Sequence, residues 1–484
     1  MNYRMLLYVI GKLLRTEGLL MILPMIVAII YRENTWMSFA VVIICLLLIS
    51  LLLVRNIKEN SFMRQKDGFV CVGIAWILLA VFGALPFYIS GQIPSYTDAF
   101  FETVSGFTTT GSSILNDIEA LDKGMLFWRS FTNWIGGMGV LVFLLAILPQ
   151  SDIKSSRMMH AMRAESPGPT VGKLVPKLKH TARIMYGMYI ALTTLEIILL
   201  LIGKMPLFDA VVTTFANAGT GGFSVMNASI AAYDSVYIEI VISIFMIIFG
   251  INFGILYMMI TGNIIAALKS EELRWYLGII FASIAVITIN ILNVYDNIGT
   301  AIRNALFAVA TLASSTGFVT ADFNEWPPLS QIILVFIMFI GSCAGSTGGG
   351  LKISRLIILV KSGLREIKYT FQPNAVYSIR FEGKPLENDT IRNITAYFII
   401  YIMMFSGILL AFTAAEECDI VTAFTAVTTT YNNMGPGLNE VGPVENFSHL
   451  TDLSKLILCF SMIAGRLELF PILMLFSASS RKKF

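Results

Sequence analysis

Four stretches of this chain close on a glycine in the same way, at Gly111, Gly222, Gly317 and Gly435, each after a short apolar run carrying Ser, Thr or Asn. Thirteen residues before each glycine stands a small or polar residue followed by Ala: Asp98-Ala99, Asp209-Ala210, Asn304-Ala305 and Thr422-Ala423. A constant offset in four places marks four copies of one local structure, a short helix with an extended return. The apolar runs, near 97–107, 208–218, 301–313 and 421–430, are too short to cross a bilayer, which takes about 20 residues. A short helix at membrane depth is tolerated only where it re-enters and lines a cavity. Four glycine-ended hairpins of that kind are what a pore needs to ring a cation with carbonyl oxygens.

The rest of the chain supplies the membrane. Of 484 residues, 56% are hydrophobic and only 13% charged, about half the charged fraction of a soluble domain. Candidate spans run near 17–31, 37–54, 69–90, 127–148, 183–203, 236–262, 275–293, 329–360, 393–414 and 453–477. The first stretch has no small-residue cleavage site and is followed by further spans, so no removable leader is expected. Basic loops carry Arg55, Lys58, Arg64 and Lys66, then Lys154, Arg157, Arg163, Lys173, Lys177 and Lys179, then the stretch from Lys352 to Arg392, and the end at Arg481–Lys483. Positive loops face the cytoplasm, which places both termini there. The opposite loops are acidic, with Asp98, Asp117, Glu119, Asp122, Asp322, Glu416, Asp419 and Glu440 among others, and an acidic outer face gathers cations. Five scattered cysteines with no CxxC pair read as small core residues.

The expected fold is an all-α polytopic membrane protein: four parallel helix–pore-helix–helix repeats around a pseudo-fourfold pore, plus two extra N-terminal transmembrane helices. The divisions fall at 1–66 for the extra helices, 67–150, 151–265, 266–362 and 363–484 for the repeats. A second glycine landmark, at Gly137, Gly250, Gly345 and Gly465, follows each first one by 26 to 30 residues within the next span.

The four returns read Thr109-Thr110-Gly111, Thr220-Gly221-Gly222, Ser315-Thr316-Gly317 and Asn433-Met434-Gly435. Glycine adopts positive φ without penalty, so successive carbonyls can turn to one side. The helix C-termini add partial negative charge at the same point. None of these strings holds a titratable side chain, which suits a monovalent ion; divalent ions take carboxylates. Gly345, Ser346, Thr347, Gly348, Gly349 and Gly350 fall inside the third repeat's second span. Interior helix glycines cost about 1 kcal/mol each, so this run should break the helix and form an intramembrane gate. It is no phosphate loop, because Leu351 follows where Lys and Ser or Thr are required. Arg466 lies near the middle of an apolar span, where charge is costly and functional by default; below the filter it would restrict cation flow. Glu196 and Glu239 lie in or at the edge of spans and read as helix-end positions, with a coupling role as the alternative. His160, His180 and His449 do not cluster, and no motif for hydrolysis, hydride transfer or metal catalysis is present.

The strings SGFTTTGSS (105–113), TGGFS (220–224), STGFVTADF (315–323), NNMGPGL (432–438), GSCAGSTGGGLKISR (341–355) and AGRLELFP (464–471) resemble the membrane subunit of the Trk/Ktr/HKT family of potassium uptake systems over essentially the whole chain. The resemblance implies K+ as the transported ion, one pore per chain, a homodimer and a cytoplasmic, TrkA-like nucleotide-binding regulatory subunit. It implies a non-enzymatic protein of the bacterial cytoplasmic (inner) membrane. Gly at the first filter position goes with potassium preference in this family, and Gly111 matches; Asn433, Met434 and Pro436 depart from a threonine-rich filter. The basic loops offer a docking surface for that subunit or for anionic membrane lipid; no nucleic-acid partner is expected. The rival reading is a proton- or sodium-coupled potassium symporter. Such carriers commonly use inverted repeats and midplane carboxylates, whereas these repeats run parallel.

Overall fold

The structure, a computed structural model, describes residues 3–55, 65–139, 178–374 and 377–476. The far end of the predicted span 127–148, the basic residues from Lys154 to Lys177, Lys58, Arg64 and the terminal Arg481–Lys483 lie outside the described residues.

The chain starts with α1 (Tyr3–Leu20) and α2 (Ile22–Ile30), then α3 (Trp36–Val54). Together α1 and α2 make one apolar span from Leu6 to Ile30, longer than the predicted 17–31. The N-terminal half amphipathically covers α3: a Cβ on Gly11 would meet Val54 Cγ2 at 2.9 Å, so the glycine sets the close approach of the two helices.

Four units of like order follow. The first is α4 (Gln65–Ile89), α5 (Tyr96–Phe107), a return, and α6 (Lys123–Gly137). The second is α7 (Leu178–Ile202), α8 (Leu207–Gly219) and α9 (Val236–Phe249), followed by α10 (Phe253–Ile260) and α11 (Ile264–Leu268). The third is α12 (Glu271–Asn290), α13 (Ile298–Ala313) and α14 (Pro328–Ile340), then α15 (Ile353–Phe371) and a small hairpin of β1 (Arg380–Phe381) with β2 (Lys384–Pro385). The fourth is α16 (Asn388–Ala415), α17 (Ile420–Tyr431) and α18 (Asp452–Arg466), ending in α19 (Phe470–Phe476). Side-chain caps start many of these helices: Ser95 for α5, Ser235 for α9, Ser270 for α12, Asn297 for α13, Asp419 for α17 and Thr451 for α18. Each satisfies an N–H that would otherwise be orphaned at a helix start.

Among the described residues six helices are long and apolar enough to cross a membrane, or seven if the bent pair Val236–Phe249 and Phe253–Ile260 counts as one. The expectation of a continuous second helix is corrected in the second and fourth units, the break expected in the third is present, and the far part of the first lies outside the described residues. α6 ends at Gly137, α9 turns by 104° into α10, α14 stops at Ile340, and α18 stops at Arg466 before a kink at Glu468 and Leu469, both at positive φ. The breaks fall at or beside the second glycine landmarks, and in α6 and α18 glycines there are in close contact with a neighbouring backbone. A Cβ on Gly136 would stand 1.9 Å from the Phe107 carbonyl oxygen, and one on Gly465 would stand 2.0 Å from that of Tyr431. These helices press their glycines onto the ends of the short helices α5 and α17, where no side chain fits.

Candidate functional site

All four short helices end in the same turn. The residue two before each glycine, Thr109, Thr220, Ser315 or Asn433, has φ of 56°, 56°, 62° and 54°. Its N–H bonds three residues back: Thr109 to Gly106 O at 3.0 Å, Thr220 to Asn217 O at 2.8 Å, Ser315 to Leu312 O at 3.1 Å and Asn433 to Thr430 O at 3.4 Å. The next N–H bonds five back: Thr110 to Ser105, Gly221 to Ala216, Thr316 to Thr311 and Met434 to Thr429, at 2.8 to 2.9 Å. This is the Schellman closure, in which the left-handed position is usually Gly. Here it is never Gly, at a cost of about 1–2 kcal/mol per copy. Strain of this sort, repeated four times, concentrates at sites where backbone direction is functional.

The four returns meet. A Cβ on Gly111 would stand 2.3 Å from Gly221 O and 3.5 Å from Gly435 Cα; on Gly222, 2.1 Å from Thr316 O; on Gly317, 2.8 Å from Gly435 N. Each string touches the next and the last touches the first, a closed ring of backbone. Gly111, Gly222 and Gly317 are left-handed, at φ of 86°, 64° and 90°, and Gly435 is not. Pro436 explains the exception, because a residue before proline is steered to extended backbone.

The support behind the ring is twofold rather than fourfold. Thr108 and Thr110 share a hydroxyl hydrogen bond at 2.8 Å, and Ser314 and Thr316 share the matching one at 2.7 Å. The second string has glycine at those places, and the Asn133 amide fills the space, within 2.4 Å of a Cβ on Gly221. In the fourth, Asn433 Nδ2 donates to Thr110 Oγ1 at 3.1 Å and to Met462 O at 2.9 Å, tying the first and last strings together. Met434 is fully buried.

Sequence reading missed a clamp. Glu102 of α5 accepts from Ser113 Oγ, Ile114 N and the Arg129 guanidinium. Arg129 of α6 donates to Ser224 O at 2.8 Å and lies 3.9 Å over the Phe223 ring. Both side chains are buried, and together they lock the first return to the second. The signal was there: Arg129, like Arg466, is a cation inside an apolar stretch.

The glycine run lies between α14 and α15 as ordered non-helical backbone. Cys343 N bonds Gly250 O at 3.1 Å, Phe253 N bonds Gly345 O at 3.1 Å, and Gly349 N bonds Ser315 Oγ at 2.6 Å. Glu272 of α12 holds Ala344 N at 2.7 Å. Ser346 Oγ is 2.8 Å from Ser342 Oγ, and Thr347 Oγ1 donates to Phe249 O at 3.2 Å. Cβ atoms on Gly348 and Gly349 would clash with Ser314 O at 2.5 Å and Asn432 O at 2.1 Å, while Gly345 and Gly350 are left-handed. The run therefore underlies the third and fourth strings directly. Arg466 is the last residue of α18, not the middle of a span. It donates to Thr347 O at 2.9 Å and to Gly136 O and Gly137 O at the open end of α6. Glu468 pairs instead with Arg355, whose guanidinium lies 4.2 Å over the Tyr397 ring. Glu196 is fully buried within α7, not at a helix end; Glu239 lies in the first turn of α9, paired with Arg303. Several of the loop acids are spent locally: Asp98 pairs with Lys455 at 2.6 Å and Glu416 accepts from Thr451.

Helices long and apolar enough to cross a membrane, packed with four short helices whose returns close on one another, define a polytopic membrane transport protein. The chain belongs to the TrkH family: the family model described as "Cation transport protein" matches residues 36–483. It is 37% identical to the Trk system potassium uptake protein TrkH of Escherichia coli K12 and 36% identical to that of Salmonella typhimurium, each over 99% of both chains. The crystal structure of the potassium transporter TrkH from Vibrio parahaemolyticus superposes with a TM-score of 0.89 at 32% identity, covering 100% of both chains.

Proposed function

We propose that this chain takes up potassium across the bacterial inner membrane as the pore subunit of a Trk-type system. The closed ring of Gly111, Gly222, Gly317 and Gly435 carries the reading. Main-chain carbonyls of Thr109–Gly111, Thr220–Gly222, Ser315–Gly317 and Asn433–Gly435 replace the water shell of a dehydrated K+ ion, and the left-handed turns aim them. Four short helices direct their negative C-terminal ends at the same place. The repeats divide at 67–150, 151–265, 266–362 and 363–484, after the N-terminal segment 1–66.

The run from Gly345 to Gly350 is the gate and Arg466 its latch. The guanidinium bridges the gate at Thr347 to the end of α6, and its charge repels a cation arriving from the ring. A homodimer, both termini in the cytoplasm and a nucleotide-binding regulatory subunit acting on the gate complete the assignment.

The test is potassium flux in proteoliposomes with no proton or sodium gradient. Flux down the potassium gradient alone is expected. Flux that requires a second ion gradient would replace the channel-like reading with coupled symport.

A further inference from the structure

The second hairpin is backed by α7, and there the structure leaves a carboxyl and an amide unfinished. Glu196 has no exposed surface, and neither does Asn217 of α8. Glu196 Oε1 accepts from Asn217 Nδ2. Glu196 Oε2 and Asn217 Oδ1 are both buried and both lack a hydrogen-bond partner. Two acceptors are thus left without a donor beside a bond already made between the same two side chains.

No ion pair among the described residues includes Glu196. On its own helix Tyr189, seven residues earlier, donates its hydroxyl to Trp134 O at 3.0 Å, and Arg183 is exposed. On α8, Asp209 accepts from Tyr233. On α9, Glu239 is paired with Arg303. α10 brings Tyr257 and no charge. On α6, Arg129 belongs to Glu102 and Lys123 lies over the Phe208 ring. Beyond Tyr189, Arg466 is engaged with the carbonyls of Gly136, Gly137 and Thr347. A buried carboxylate without a cation is costly, and a single added hydrogen would serve both orphaned oxygens.

We propose that Glu196 is a proton-binding site: a neutral acid that donates Oε2–H to Asn217 Oδ1 while Oε1 accepts from Asn217 Nδ2, a cyclic acid–amide pair. The pair has a position to hold. The main-chain carbonyl of Asn217 accepts from Thr220 N at 2.8 Å, the bond that closes the left-handed turn of the second string. A second contact from Nδ2 reaches Ile242 O on α9 at 3.4 Å. The bound proton therefore fixes Asn217 between α7 and α9 and keeps an anion from forming behind the ring. Glu196 is a positioning residue, acting through Asn217.

Infrared difference spectroscopy of the full-length protein at neutral pH tests the proton itself. Wild type minus Glu196→Gln should show the carbonyl stretch of a protonated carboxyl, and Asn217→Leu should shift that band to higher frequency as its hydrogen bonds are lost. A difference spectrum with only ionised-carboxylate bands overturns the proposal. The flux arm rests on the proposed function. Glu196→Gln repeats both hydrogen bonds and should keep potassium flux within about twofold of wild type, whereas Glu196→Ala strands the Asn217 amide and should lose about tenfold, the rate equivalent of an unsatisfied buried polar group. Equal loss in both variants would also overturn it. The spectroscopic arm stands whichever ion the pore carries.

Discussion

Arg466 and Thr347 lie 119 positions apart and are joined by a hydrogen bond from Nη1 to the main-chain carbonyl at 2.9 Å. The same guanidinium holds the carbonyls at the end of α6, so one side chain joins the glycine run to α6. Hydrogen bonds from a charged donor contribute about 1.5–3 kcal/mol each. Arg466→Ala should raise potassium flux on the order of tenfold in vesicles reconstituted with equal amounts of folded protein. Unchanged or abolished flux would show that the residue is no latch.

Gly111, Gly222 and Gly317 of the ring have no room for a side chain. Gly111→Ala would place Cβ 2.3 Å from Gly221 O at a φ of 86°, so flux should fall more than tenfold, an effect of about 1.4 kcal/mol or more. Gly278, on α12, has nothing within 4 Å of a Cβ position. Gly278→Ala should retain wild-type flux and gain a fraction of a kcal/mol, as glycine-to-alanine changes at compatible sites do. Equal behaviour of the two variants would refute the ring.

Glu102→Gln removes the charge partner of Arg129 where both side chains are buried. Breaking a buried pair from one side costs about 3–5 kcal/mol. Thermal unfolding in detergent should show a large drop in midpoint, and potassium should lose its preference over sodium because Arg129 no longer steadies Ser224. A midpoint close to wild type would mean that the clamp contributes nothing.

Asp419 caps α17. Hydrogen bonds from the Thr422 hydroxyl, the Thr422 and Val421 N–H groups and Asn439 hold its carboxyl below the ordinary value of 3.8. A lowered folded-state pKa stabilises fully above the unfolded value and is lost as pH falls through the folded one. The cap's contribution should therefore be constant from neutral pH down to about pH 4 and decline only below it. Asp419→Asn keeps a good cap and should flatten that acid limb. A difference between the two proteins appearing near pH 6 would contradict the assignment.

Much of the geometry around the four returns was legible. The four strings showed themselves through a constant offset, because a re-entrant hairpin packed against its own helices has little freedom in length. The break at Gly341–Gly350 was legible because clustered glycines cannot hold a helix. The breaks near Gly137, Gly250 and Gly465 were not: one or two glycines in an apolar helix are equally consistent with close packing. What the structure adds is the carbonyl of Phe107 or Tyr431 at contact distance from Gly136 or Gly465, and that carbonyl comes from a separate segment. Left-handed Thr109, Thr220 and Ser315 were equally hidden, since local propensity puts glycine there. Arg129 carried the same signal as Arg466, a cation in an apolar stretch, and its acid partner Glu102 is 27 residues away on another helix.

The order of residues by itself determined a polytopic helical membrane protein with four copies of one hairpin, because hydropathy, length and spacing are local properties that a bilayer reads directly. The tertiary structure decided that the hairpins close into a ring with Gly435 unlike the other three, that Arg466 ends a helix, and that Glu196 faces Asn217. Those outcomes depend on which backbone carbonyl or amide meets a side chain across repeats, and such contacts are set by packing in three dimensions.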